Sequence, residues 1–268
     1  MLRFGYIDYL NCLPVHLGLE NNATPLELTF RRGVPTRVNA WFCNGEIDAT
    51  AASSVVYARN PEKGIILPGA CVAGDGPIGS ILLFAKSPPW KLAGKRVAVS
   101  NSSATSVALL RILLEHHYRV RAELITLPPS LDDMLVGNDA ALLIGDDALT
   151  AAAGSNLERV DLGEAWKEFT GEAFVYALWL LRRDFAAAHP RRAAAFARAV
   201  GEAREYSLLH REELLAEAAR RSSLPKDTLE WYFSLLRHEF GPRERRGLSL
   251  FYRWLGLTPP LDVWEENP

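Results

Sequence analysis

Apolar residues along the 268-residue chain fall in two alternating arrangements. In one they form short continuous runs; in the other they recur every three or four positions. The runs predict buried strands at 2–7, 26–30, 46–50, 64–68, 80–85, 97–99, 122–127, 140–144 and 174–181. The spaced stretches predict helices between them. Pro14 opens one through Leu17 and Leu19. Gly33-Val34-Pro35 opens another, with Val38, Trp41 and Phe42 on its apolar face and Asn44-Gly45 as its stop. A helical turn runs through Tyr57. Val107, Leu110 and Leu114 stand at i, i+3 and i+7 of a further helix, with short helices at 131–136 and 148–153. Beyond 183 the pattern predicts helices alone, at 185–209, 211–221, 226–240 and 242–255, with Pro190, Pro225 and Pro242 near their starts. Strands alternating with helices, then a helical tail, indicate an α/β protein. We expect two lobes: residues 1–83 with 179–268 in one, and 84–178 in the other. The chain would cross between them near 84–87 and 173–180. A ligand in such a fold lies between the lobes, at the carboxyl ends of strands.

Polar residues sharpen that expectation. Small polar clusters are expected to follow predicted strands: Asn11, Ser53-Ser54, Gly79-Ser80, Ser102–Ser106 and Asp146-Asp147. The densest lies in Val97–Leu114, where Ser100, Asn101, Ser102 and Ser103 are all competent N-caps and Thr105 and Ser106 add hydroxyls. A helix start of this kind presents unpaired N–H groups and a partial positive charge, which suit an anion. Gly74-Asp75-Gly76-Pro77-Ile78-Gly79 is a literal G-x-G-x-x-G. A dinucleotide site needs that motif after a strand and opening a helix, and here Pro77 interrupts it and a strand follows. We read these glycines as turn chemistry near a pocket.

Composition narrows the function. The chain is 49% hydrophobic and 23% charged with net charge −2, which is ordinary for a globular protein. The arginines of 182–246 alternate with acids and read as solvated helix faces, so nucleic acid is not an expected partner. The first fourteen residues contain Asp8, Asn11 and Pro14 and do not form a leader, and no apolar run has membrane-spanning length; a cytoplasmic location is expected. Three widely spaced cysteines fit neither a disulfide framework nor a metal cluster. Adjacent His116 and His117 point in different directions on a helix, and no zincin motif occurs. Metal and cofactor are therefore not called for. Cys12 reads as a buried thiol rather than a nucleophile, and no G-x-S-x-G elbow is present. Asp146 and Asp147 read either as an acid–base pair or as helix caps. The cleft is rich in neutral hydrogen-bond donors and poor in strong bases.

Several segments then resemble one family in order along the chain: YLNCLP at 9–14, NGEIDATAASSVVYARN at 44–60, GSILLF at 79–84, SSATSVALLRILL at 102–114, ALLIGDDAL at 141–149, and DLGEAW and TGEAFVYALWLLR within 161–182. They are similar to the chorismate dehydratases of the futalosine route to menaquinone. The resemblance implies a type II periplasmic-binding-protein fold and dehydration of chorismate to 3-[(1-carboxyvinyl)oxy]benzoate. The C3 proton and the C4 hydroxyl leave and the ring becomes aromatic. The C3 hydrogen is vinylogous to the ring carboxylate, which suits an anionic elimination. The substrate's own enolpyruvyl carboxylate is the base suggested for the family. By motif, Asn11 and Ser80 are the residues expected to act in the reaction. Ser53, Ser54, Ser102, Thr105 and Ser106 are expected to hold the two carboxylates and Asp146 the C4 hydroxyl, with Gly79 and Ala104 also among the expected substrate-binding residues. A homodimer is left open. Two alternatives stand beside this reading. One is a solute receptor of the same fold. The other is the 1,4-dihydroxy-6-naphthoate synthase of the same pathway, which uses a histidine base after a second-lobe strand where this chain reads Ile144-Gly145-Asp146-Asp147. A transcription regulator's effector domain is more distant, for want of a helix-turn-helix head.

Overall fold

The computed structural model describes residues 1–21 and 26–265. In chain order the strands are β1 Leu2–Tyr6, β2 Leu28–Arg32, β3 Ala49–Ser53, β4 Gly64–Gly74, β5 Ile81–Ala85, β6 Arg96–Ser100, β7 Glu123–Leu127, β8 Ala140–Ile144, β9 Glu158–Asp161 and β10 Phe174–Arg182. The helices are α1 Leu13–Glu20, α2 Pro35–Asn44, α3 Ser54–Arg59, α4 Ala104–Ile112, α5 Leu131–Leu135, α6 Gly145–Gly154, α7 Leu162–Thr170, α8 Arg183–Ala188, α9 Pro190–Leu209, α10 Arg211–Arg221, α11 Lys226–Leu235 and α12 Pro242–Trp254. No helix among the described residues is long and apolar enough to cross a membrane.

Two five-stranded sheets result, ordered β2-β1-β3-β10-β4 and β7-β6-β8-β5-β9. In each, four strands run in one direction and one runs against them, β10 in the first sheet and β5 in the second. The apolar runs account for the second sheet directly. All five residues of β5 and of β8 are buried. Their side chains alternate: Ile81, Leu83 and Ala85 join the main core, while Leu82 and Phe84 face a second cluster with Met134 and Leu143. A strand buried on both faces reads as an unbroken apolar run.

Several elements differ from the sequence expectation, each for a physical reason. The strand expected at 46–50 is β3 at Ala49–Ser53, because Asp48 turns back to take the Arg3 backbone and guanidinium N–H groups at 2.8 and 3.0 Å. Its ATAAS sequence carries almost no hydrophobic signal yet is wholly buried. The strand expected at 64–68 extends to Gly74; Pro68 is tolerated because β4 is an edge strand. The helix expected at 185–209 is two, parted at His189 before Pro190. The helix expected at 226–240 stops at Leu235. Beyond it Arg237 exchanges backbone bonds with Ala73 at 2.8 and 2.9 Å, and the Cys71 N–H reaches the His238 carbonyl at 3.1 Å. The lobe limits move in the same way. β5 pairs only within the second sheet and β10 only within the first. We therefore place the crossings at about 75–80 and 171–173 rather than at 83/84 and 178/179.

The glycine motif is the first of these crossings. Asp161, at the end of β9, gathers it. One carboxylate oxygen accepts the Ile78 and Gly79 N–H groups at 2.9 and 2.7 Å, and the other caps α7 through Gly163 and Glu164 at 2.8 and 3.2 Å. Gly79 has φ +72, and a Cβ there would meet the Trp231 ring at 2.7 Å.

Candidate functional site

The facing edges of the two sheets carry the polar clusters. β1 leads to Asn11 through a 3-10 turn, Leu10–Cys12. β3 ends at Ser53, β6 leads to Ser102–Ser106, and β8 leads to Asp146. Ser80 differs from the sequence expectation in one respect: it precedes its strand. It reaches the same edge because β5 runs against β8, and the Gly145 N–H donates to the Ser80 carbonyl at 2.7 Å.

Two seams join the lobes at this edge. At the first, Asp146 accepts the Leu10 N–H at 3.2 Å. Gly145, at φ +57, leaves room for the Tyr9 ring 3.1 Å from where a Cβ would stand. At the second, the Val55 N–H donates to the Thr105 hydroxyl oxygen at 3.2 Å, and Ser54 and Thr105 oxygens approach to 3.4 Å. Ser54 itself donates to the Val175 carbonyl at 2.8 Å. Ser54 and Thr105 thus clasp the lobes together. This use was not expected of two side chains read as carboxylate donors.

The remaining hydroxyls are mostly occupied on their acceptor side. Asn39 donates to Ser53 at 3.0 Å and accepts the Ser53 N–H at 3.1 Å. Ser103, not Ser102, caps α4: its oxygen accepts the Ser106 N–H at 3.0 Å and its hydroxyl meets that of Ser106 at 2.9 Å. Ser102 is the exception: it donates its hydroxyl hydrogen to the Asn101 side-chain oxygen at 3.3 Å. Ala104 begins α4 half-buried. The Gly79 N–H is spent on Asp161, which gives Gly79 a shape-setting place in the turn. Hydroxyls whose oxygens already accept a bond keep their hydrogens for an anion.

Titratable groups near this edge are shifted by burial. Asp146 is pushed up to about 7, burial outweighing the Leu10 N–H that favours its anion. Asp146 does not cap its helix; Ile144 holds that position. Cys12 is buried and its thiol is pushed up, which keeps it protonated and unreactive. His116 packs on Trp254 and His117 on Phe169, with ring centroids 4.7 and 5.4 Å apart, so both are packing residues. Among the described residues no group of three or more His, Cys, Asp or Glu is arranged to hold a metal ion.

A pH dependence follows from Asp146. Below about pH 4 the carboxyl is neutral in both folded and unfolded chains. Between about 4 and 7 the unfolded chain ionises first, so this group's contribution to stability falls as pH rises, then levels off above 7. Asp146→Asn should therefore gain stability relative to the parent between pH 4.5 and 8, by on the order of 1–2 kcal/mol in denaturant midpoints. Other shifted acids are common to both proteins and cancel. A difference that stays constant across the range removes the buried anion from the account.

Two residues at the site lay outside the sequence expectation. The Tyr232 hydroxyl, fully buried on α11, donates to the Ser80 oxygen at 3.0 Å. His238 donates from Nε2 to the Asn11 carbonyl at 2.9 Å; burial lowers its pKa to about 4, so the ring is neutral. Their only signal in the sequence was apolar helix periodicity. Their place depends on the tail folding back onto β4.

Two α/β lobes, crossed by antiparallel strands and carrying polar residues at their facing edges, define a periplasmic-binding-protein-like fold. The alkanesulfonate-binding protein SsuA of Xanthomonas axonopodis superposes with a TM-score of 0.73 at 17% identity, covering 98% of this chain and 97% of that one. The chain belongs to the menaquinone-biosynthesis family, whose model matches residues 2–256. It is 31% identical over 278 residues to the chorismate dehydratase of Thermus thermophilus, covering 94% of each. It is 29% identical over 196 residues to the 1,4-dihydroxy-6-naphtoate synthase of the same organism, covering 72% of this chain and 69% of the relative.

Proposed function

We propose that this chain is a chorismate dehydratase, a hydro-lyase of menaquinone biosynthesis. The observation that carries the reading is the similarity to a chorismate dehydratase along 94% of the chain. The site chemistry supports it. Chorismate is a dianion, and the facing edges offer hydroxyl hydrogens from Ser53 and Ser106, the latter in the first turn of α4. The elimination removes H from C3 and hydroxide from C4; these leave together as water, and the ring gains aromaticity. It asks for placement and charge stabilisation rather than a strong protein base.

Asn11 and Ser80 are the residues we assign to the reacting end. Asn11 donates its side-chain N–H toward the departing C4 hydroxyl, and Ser80 donates its O–H to the same region. Asp146, whose carboxyl holds its proton to about pH 7, stands on the adjoining strand end to return a proton to the leaving hydroxide. The enolpyruvyl carboxylate of the substrate accepts the C3 proton and then releases it to solvent as Asp146 takes one up, so that acid and base are restored and one water is lost overall. The turn after β8 reads Gly145-Asp146-Asp147, without the histidine expected of the naphthoate synthase. The reading carries with it a cytoplasmic location and a small-molecule substrate as the only partner required.

The test is direct. Purified protein mixed with chorismate should consume it and release an aromatic product lighter by one water, followed by absorbance and mass spectrometry. Saturable binding of chorismate with no product would replace this reading with that of a solute receptor.

A further inference from the structure

Asn11 and Ser80 come from different segments, and the C-terminal tail reaches both. Tyr232 is completely buried, and Ser80 is 1% exposed. The Tyr232 hydroxyl gives its hydrogen to Ser80 Oγ at 3.0 Å. A serine hydroxyl has one hydrogen and accepts through its lone pairs. With Tyr232 as donor, the Ser80 hydrogen is the part of that group still free. The neighbouring backbone is also held: the Ser80 carbonyl accepts from Gly145 at 2.7 Å, and the preceding Gly79 N–H is fixed on Asp161 at 2.7 Å. On the other side His238, three residues past the end of α11, pins the Asn11 carbonyl at 2.9 Å. That stretch is anchored to β4 through Arg237 and Ala73. The tail therefore holds both residues of the proposed reacting end from behind.

We propose that Tyr232 is a positioning residue for the dehydration: its buried hydroxyl donates to Ser80 Oγ from behind and so commits the Ser80 hydrogen to the substrate, while the same tail holds the Asn11 backbone through His238. This rests on the dehydratase reading above and adds the element that sets the polarity of the site. A hydroxyl donor such as Ser80 is strengthened by the bond it accepts. Without the phenol oxygen, Ser80 keeps its place but its hydrogen is free to rotate away. Tyr232 touches no reacting atom; its effect passes through Ser80.

The experiment compares Tyr232→Phe, Ser80→Ala and the double variant in steady-state turnover of chorismate, with thermal melting as the fold control. We expect Tyr232→Phe to lower kcat about tenfold with KM changed less than about threefold, because a group aligned for the transition state has been loosened. In the Ser80→Ala background the same change should cost less than about twofold more, since the two act as one unit. Replacing Tyr232 by 4-aminophenylalanine keeps shape and donor and should hold kcat within about threefold of the parent. That variant carries the test even where loss of the oxygen unfolds the chain. A parent-like kcat in Tyr232→Phe, losses that multiply in the double variant, or a tenfold loss in the amino variant would each overturn the proposal. A parent protein inert toward chorismate overturns the dehydratase reading itself, and that is seen before any variant is made.

Discussion

Asn11→Ala should lower kcat for chorismate about a hundredfold, the scale of one lost donor to charge developing in a transition state. Asn11 sits in the 3-10 turn that follows β1, with its carbonyl fixed by His238. Its backbone is therefore set by the fold, and truncating the side chain removes an amide without moving the turn. The expected signature is a fall in kcat with little change in KM, as the departing hydroxide gains negative charge only as the C–O bond breaks. The variant should melt close to the parent, because Asn11 is partly exposed and its backbone contacts remain. Turnover within threefold of the parent would remove Asn11 from the reaction.

Gly247→Ala should be the most damaging small change to stability. Gly247 is buried in α12, and a Cβ there would lie 2.0 Å from the Ala173 carbonyl oxygen and 2.9 Å from its carbon. These are backbone atoms at the second crossing between lobes, and the same carbonyl accepts the Trp166 Nε1–H at 3.3 Å. The crossing is held on both sides by rings: Phe251 of α12 packs on Phe174 and Trp166, with centroids 4.7 and 6.2 Å away. Neither side yields cheaply, so the added methyl must displace α12 as a body. We expect a loss of about 3 kcal/mol, at the upper end for overpacking, and a melting point lower by roughly 6–12 °C. Gly154→Ala is the control, since nothing lies within 4 Å of a Cβ at that position. A melting point within two degrees of the parent for Gly247→Ala would mean that α12 is not seated against Ala173 as described.

Both effects sit where long-range contacts meet local sequence, and this divides what could be read in advance. β5 and β8 of the second sheet were visible because burial on both faces demands unbroken apolar runs such as ILLFA and AALLI, whereas β9, Glu158–Asp161, half exposed and without such a run, was not expected. β3 was misplaced by three residues because alanine, serine and threonine carry little hydrophobic signal, although every residue in it is buried. The hydroxyl-rich α4 start was evident from capping chemistry, but which serine caps it was not: Ser103 does, while Thr105 and Ser54 serve the seam between lobes. Local spacing cannot show that a side chain is spent on the other lobe.

The sequence by itself determined the α/β class, the two-lobed plan with a polar edge between lobes, and the family, because periodicity, caps and motifs are properties of neighbours along the chain. Tertiary structure alone decided where the lobes exchange strands, that Asp146 is buried against Leu10, and that Tyr232 and His238 reach Ser80 and Asn11. The last pair bonds across 152 and 227 positions of sequence. Their geometry exists only because α11 ends at Leu235 and the tail pairs with the exposed edge of β4. An edge strand's unpaired N–H and C=O groups need partners, and satisfying them brings the tail to the site.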